Sequence, residues 1–431
     1  MAAFIGFLMI VALIVALVKF KVLPISVFAT LPLAAAFALG FGPTEVFTMA
    51  AKGIIGVLPT AALFVGSITY FGVMNDVGLF DRPVNWLVKR IRPSVFSVLA
   101  AAICVAMISH LDGSGATTIM ITVPAMLPIA QKLKVRTLPL AFVVTMTIGV
   151  MNFLPWGGPL GRASTVVGSD TITLWKQILP VQLFGIALLF AAAWLVAKQE
   201  ERKGFTAQRP DGGGQQAERG GQANELLRPR LYWWNVAVTV FVLALLFLGC
   251  PAFLPFLIGL AIVLPLNYGK QGDRAQEARI KAHAGQVVPM VLTIIGAGIF
   301  LGVLQDGGII EQMAGLIVSL IPSQLGQFLH AIMGVLAIPM SLVFEADTMN
   351  YGILPVVAQI GTSYGVPQTA SALAIAIGHN MGVGLCMTSA TVYFALGLFG
   401  LEYGEALRYS FWKTIAFGAV LVVFGALIGV L

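Results

Sequence analysis

Charge is scarce in this chain: 10% of its 431 residues are Asp, Glu, Lys or Arg, against 58% apolar residues. So little charge excludes a soluble globular domain of this length, because the surface of such a domain needs about 25% charged residues. Cysteine is almost absent. Cys104, Cys250 and Cys386 are far apart in apolar sequence, which excludes a disulfide framework and any CxxC-type metal site. Histidine occurs four times, and neither GxSxG nor HExxH is present, so the familiar hydrolase and metalloprotease signatures are missing. Ser114 and His110 share one segment without a third orienting group, and an attached soluble catalytic or signalling domain is not expected. The expectation is a protein that is not an enzyme, has no tightly bound cofactor and does not bind nucleic acid.

What the chain does contain is repeated apolar stretches near the roughly 20 residues needed to span a bilayer, marking a polytopic membrane protein embedded in lipid. The first segment, 1 to 17, has no basic residue before its apolar core and reads as a retained helix. Of the 25 Lys and Arg, 22 fall into six clusters: 19 to 21, 82 to 92, 132 to 136, 198 to 230, 270 to 281 and 408 to 413. Cytoplasmic loops collect such residues, so all six belong on one side, with the N-terminus outside. Only Lys52, Arg162 and Lys176 remain.

That constraint gives an all-α topology of about ten transmembrane helices and two re-entrant helical hairpins. Residues 1–197 form a first repeat, with helices near 2–18, 22–41 and 54–74 and a basic amphipathic segment at 76–92. A hairpin at 94–131, a broken helix at 137–170 and a helix at 177–197 follow. Residues 198–230, with GGG at 212–214, are a polar cytoplasmic linker. Residues 231–431 form the second repeat, with helices near 231–249, 252–269 and 287–304, a hairpin at 325–361, a broken helix at 368–400 and a last span at 409–431. The halves match in sequence: FGVMNDVGLFD at 71–81 aligns with LGVLQDGGIIE at 301–311, an offset of 230. Five spans per half invert the second relative to the first. Inverted repeats with interrupted segments at matching places point to a secondary transporter whose substrate sits near the midplane.

The interruptions carry the chemistry. HLDGSGATT at 110–118 holds His110, Asp112, Ser114, Gly115, Thr117 and Thr118; FEADTMNYG at 344–352 holds Glu345, Asp347, Thr348 and Asn350. Polar, glycine-rich backbone at membrane depth persists only around a protein-lined site. The broken helices add Asn152, Trp156, Gly157, Gly158 and Arg162, and then His379, Asn380, Gly382, Gly384, Thr388, Ser389 and Thr391. Hydroxyls, amides and helix N-termini suit a carboxylate ligand, and Arg162 is either a bidentate clamp for it or an anchor at the external interface. Asp112 and Asp347 would repel it, which implies a cationic companion, either protons or a chelated divalent metal. The alternative for each aspartate is a helix cap. Asp76 and Asp306 read as helix ends, His110 and His379 as proton carriers or structural histidines, and His283 as part of a basic loop.

DGSGATTIMITVPAMLP at 112–128 with GVMNFLPWGGPLGRA at 149–163 resembles the signature of the citrate-metal:proton symporter family (CitMHS) of the ion transporter superfamily, and the resemblance runs through both halves. DTMNYGILPVVAQ at 347–359 and LGLFGLEYGEALRYSF at 396–411 carry it less tightly. Relatives often have a GDHQR-like stretch where this chain has Gly404 to Arg408, and a Ser-Pro pair where it reads CMTSAT. The resemblance implies proton-driven symport of citrate complexed with Mg2+ or Ca2+ through a bacterial inner membrane. It also implies a homodimer with a fixed scaffold and a moving, elevator-type transport domain. Transport of another organic anion, a hydroxy acid or dicarboxylate, is the alternative.

Overall fold

The computed structural model describes residues 2–205, 225–319, 322–387 and 389–431, and all regular structure among them is helical. The first half contains α1 (Ala2–Val18), α2 (Pro24–Ala38), α3 (Pro43–Asp76), α4 (Asp81–Val88), α5 (Val95–Ser109), α6 (Gly115–Lys132), α7 (Thr137–Met151), α8 (Gly158–Val166) and α9 (Thr171–Arg202). The second contains α10 (Tyr232–Phe247), α11 (Phe253–Tyr268), α12 (Asp273–Asp306), α13 (Ile309–Val318), α14 (Ser323–Gly326), α15 (Leu329–Met340), α16 (Leu354–Ser363), α17 (Gln368–Gly382), α18 (Ala390–Phe399) and α19 (Tyr403–Leu427). Among the described residues seven helical stretches are long and apolar enough to cross a bilayer: α3, Val95–Asp112, α9, Pro229–Phe247, Phe253–Gln271, α12 and α19. The protein is therefore a multi-pass membrane protein. Five further apolar helices, in α1, α2, α7, α13 and α15, are 10–17 residues long.

Local chemistry explains where these helices begin. Ser94 caps α5 by accepting the Ser97 N–H at 3.1 Å, and Asp170 caps α9 by accepting the Ile172 and Thr173 N–H groups. Helix α3 starts at Pro43, well before the expected 54, because proline suits the first turn and Glu45 reaches back to the Gly42 N–H at 2.9 Å. Helix α12 likewise starts at Asp273 and not near 287, α9 at Thr171 and not at 177, and α19 at Tyr403 and not at 409. Hydropathy marks only the part of a helix that lies in hydrocarbon, so these polar extensions escape it. His283 accordingly sits on α12, not in a loop. Of the expected linker at 198–230, residues 206–224 lie outside the described residues.

Helices α3 and α12, each 34 residues long, form the central pair, and both bounds recur at a displacement of 230: 43 to 273 and 76 to 306. At about 1.5 Å per residue each is roughly 50 Å long, far more than the hydrocarbon core, so both tilt or protrude. Packing partners recur in the same way: α2 lies on α12 as α11 lies on α3, and α5 on α7 as α15 on α17. The ends of the pair are tied by ions. Lys52 on α3 meets Asp306 at 3.1 Å, and Asp76 at the end of α3 meets His283 at 3.0 Å and Arg279 at 3.7 Å. Asp76 and Asp306 do mark helix ends, as expected. The Lys52 pair is well exposed, so Lys52→Met is expected to change stability by less than about 1 kcal/mol, as thermal unfolding in detergent would read.

Candidate functional site

The first polar tip is a tight turn between α5 and α6. A 3-10 turn at His110–Asp112 ends on Gly113 with φ 75°, a left-handed conformation that glycine adopts without strain. Asp112 closes the turn by accepting the Ser114 N–H at Oδ1, 2.8 Å away, and Ser114 caps α6 by accepting the Thr117 N–H at 3.3 Å. The Thr118 hydroxyl donates to the Ser114 carbonyl at 2.7 Å. His110, fully buried, bridges Thr118 through Nδ1 at 2.8 Å and Asn152 through Nε2 at 3.2 Å. The Trp156 indole N–H donates to the Leu111 carbonyl at 2.7 Å. The tip is therefore bolted to the break between α7 and α8, and His110 acts there as a tie.

That break is tight. A Cβ on Gly157 would lie 2.9 Å from the carbonyl oxygens of Asn152 and Leu154, so a side chain there would force the loop open. Gly158 opens α8, and a Cβ on it would meet the Arg162 guanidinium one turn later at 2.8 Å. Arg162 in turn crosses to the second tip: its Nε donates to Asp347 Oδ1 at 2.6 Å, with 13% and 18% of the two side chains exposed. The second arm then opens with a π-helical turn, Thr348–Ile353, largely within the polar tip expected at 344–352. Such turns are rare and concentrate at functional sites. Thr348 and Asn350 are buried in it, and Glu345 is exposed at its approach.

In the π turn and at the end of α17 lie polar atoms with no hydrogen-bond partner among the described residues: Asn350 Oδ1, the Tyr351 hydroxyl, His379 Nε2 and both side-chain polar atoms of Asn380. All four residues are buried. Helix α8 packs against both the π turn and α17, which bring these residues together. Helices α7 and α17 touch where a Cβ on Gly149 would lie 2.5 Å from the Asn380 carbonyl oxygen. A cavity of about 210 Å³ lined by Lys21, Glu345, Asp347 and Thr348 reaches Asp347 from the α1–α2 turn.

The expected site residues thus fall into two groups. His110, Asp112, Ser114, Thr117, Thr118, Asn152 and Gly157 cluster at the first tip; Gly158, Arg162, Glu345, Asp347, Thr348, Asn350 and Asn380 cluster at the second. Gly384 packs on Thr145, and Ser389 sits at the start of α18 without a capping bond. Thr388 lies outside the described residues. Thr391 reaches the first tip, 3.7 Å from where a Gly115 Cβ would stand. Among the described residues no three His, Cys, Asp or Glu stand close enough to hold a metal ion unaided. Tyr351 and Ser341, which accepts or donates at 3.2 Å to His379 Nδ1, join the second group without having been singled out by sequence. Only their place inside polar or broken stretches could have suggested them.

Residues 7–278 match the family described as citrate transporter, CitMHS. The chain is 30% identical to the Mg(2+)/citrate complex secondary transporter of Bacillus subtilis (strain 168), over 99% of both proteins. It is 28% identical to the citrate transporter of the same organism, over 100% of both. The crystal structure of the Alcanivorax borkumensis YdaH transporter shares the fold, with a TM-score of 0.64 and 14% identity over 90% of this chain and 88% of that one.

Proposed function

This chain belongs to the citrate transporter family, a family of transporters and not of enzymes, and on that premise we propose that it carries citrate as a complex with Mg2+ or Ca2+, driven by protons. The observation that carries this reading is the Arg162–Asp347 pair beside buried amide, imidazole and phenol atoms that lack a hydrogen-bond partner among the described residues. Arg162 and the amides suit citrate carboxylates, whereas Asp347 and Glu345 are hard oxygen ligands for the accompanying cation. Citrate supplies the rest of the metal's coordination.

The same reading extends to the architecture. Residues 1–197 and 231–431 form two inverted repeats, with α5–α6 and α15–α16 as re-entrant hairpins; α15, at 12 residues, is too short to cross alone. Helices α1, α2 and the broken α7–α8 and α17–α18 add crossings to reach about ten. The α3–α12 pair belongs to a scaffold against which the hairpins and broken helices move as an elevator in a homodimer. With Lys19 and Lys21 on the cytoplasmic side of an inner membrane and the N-terminus outside, the cavity reaching Asp347 opens to the cytoplasm.

Citrate uptake by proteoliposomes, measured with Mg2+, with Ca2+ and with a chelator, tests the proposal. Uptake should fall at least about 10-fold when the chelator is added, the size expected for a cation that contributes over about 1.4 kcal/mol of binding. Undiminished uptake in chelator would favour the second reading, transport of a metal-free organic anion.

A further inference from the structure

Resting on the reading of Arg162 and Asp347 as the substrate site, we propose that their ion pair is a counter-ion lock that makes anion and cation bind together or hardly at all. The two side chains come from opposite halves of the sequence, 185 residues apart, and meet at 2.6 Å while largely withdrawn from water. Each therefore satisfies the other's charge. Removing one partner from such a pair is costly because the other charge stays behind without compensation.

Any ligand must exchange these partners. A carboxylate that engages Arg162 strips Asp347 of its counter-ion; a cation that engages Asp347 does the same to Arg162. When both arrive together, as a metal-carboxylate complex, the anion takes Arg162, the cation takes Asp347, and no charge is stranded. The lock thus converts two competing single-ion events into one favourable joint event, which is a positive coupling free energy between two ligands.

The surroundings are built for a third party. The Tyr351 hydroxyl, Asn350 Oδ1, His379 Nε2 and the Asn380 amide lack partners among the described residues, although burial makes unpaired polar atoms expensive. Tyr351 and Glu345 lie within electrostatic reach of Arg162. The Tyr351 ring is pinned edge-on against Phe28 of α2, centroids 5.3 Å apart, so its hydroxyl is held in place. The crevice lined by Asp347, Glu345 and Thr348 gives the ligand a way in.

The lock makes a prediction that mere structural damage cannot mimic: a gain of binding. In calorimetric titrations of the purified full chain in detergent, Asp347→Asn should bind metal-free citrate at least about 10-fold more tightly than wild type, and Mg2+ should lose most of its enhancing effect, within the usual range of allosteric couplings. Arg162→Gln should bind Mn2+ alone, read by electron paramagnetic resonance, about 10-fold more tightly than wild type. The Arg162→Gln/Asp347→Asn double variant, whose neutral pair guards against misfolding, should bind citrate with no dependence on the metal. An unchanged metal dependence in Asp347→Asn or in the double variant overturns the lock. Wild type that binds no citrate in any form overturns the citrate reading instead. The Mn2+ arm then decides the lock alone, and equal Mn2+ affinity in Arg162→Gln and wild type refutes it.

Discussion

Asp112→Asn is expected to lower citrate accumulation by proteoliposomes about 100-fold, equivalent to some 2.7 kcal/mol, while leaving thermal unfolding in detergent nearly unchanged. The argument rests on what asparagine keeps. Asp112 Oδ1 accepts the Ser114 N–H at 2.8 Å and so closes the turn at Gly113. Asparagine supplies the same acceptor, and Asx turns form equally well with either residue. The substitution therefore removes the charge and the exchangeable proton but not the turn. Asp112→Ala removes both and should in addition destabilise the protein by about 1 kcal/mol, the ordinary cost of a lost cap or turn acceptor. Normal uptake by Asp112→Asn would reduce Asp112 to a turn residue and leave the second tip as the seat of the chemistry.

How much of this could be read beforehand depends on what each feature requires of the sequence. The two polar tips stand out because HLDGSGATT and FEADTMNYG interrupt apolar sequence, and polar backbone in hydrocarbon needs a reason. The breaks at Gly157 and after Gly382 are visible for the same reason. The displacement of 230 is visible because Asp76 and Asp306 end their helices in matching surroundings. The starts of α3 and α12 are not visible, because a hydropathy window is blind to the 10 or so residues by which a helix protrudes into water. His283 reads as a loop residue for that reason, yet it sits on the protruding part of α12 and pairs with Asp76 across the helix contact.

Pairing across the fold is the part that escapes sequence. Arg162 looks like a free clamp for a ligand carboxylate, and Asp347 like an unneutralised acid that demands a cation. Their contact at 2.6 Å changes both meanings, since each already holds the charge the other was expected to find in the ligand. Nothing in the spacing of 185 residues announces this. It arises because α8 and the π turn come together, and a π turn has no reliable sequence signature. His110 shifts in the other direction. A candidate proton carrier by residue type, it is held on both sides by Thr118 and Asn152 and ties the tip to the break.

Gly53→Val is expected to cost more stability than any substitution in the site. A Cβ on Gly53 would run into the carbonyl oxygen of Gly298 and lie 2.9 Å from the Gly302 Cα; one on Gly298 would lie 2.8 Å from the Gly53 carbonyl oxygen. Helices α3 and α12 thus touch backbone to backbone, the close approach that small residues permit between membrane helices. No rotamer change relieves a clash with backbone, so the helices must part, and dispersion contacts weaken along the whole 34-residue pair. Overpacking of side chains alone costs about 1–3 kcal/mol, and a backbone clash belongs at or above the top of that range. The variant should therefore lose its monodisperse peak on size-exclusion chromatography in detergent and unfold at a markedly lower temperature. Gly56→Val, three residues along the same helix, is the control: a Cβ there meets nothing within 4 Å, so folding should survive. If Gly53→Val behaves like Gly56→Val, the α3–α12 contact is loose, and a pair that loose cannot serve as the scaffold proposed above.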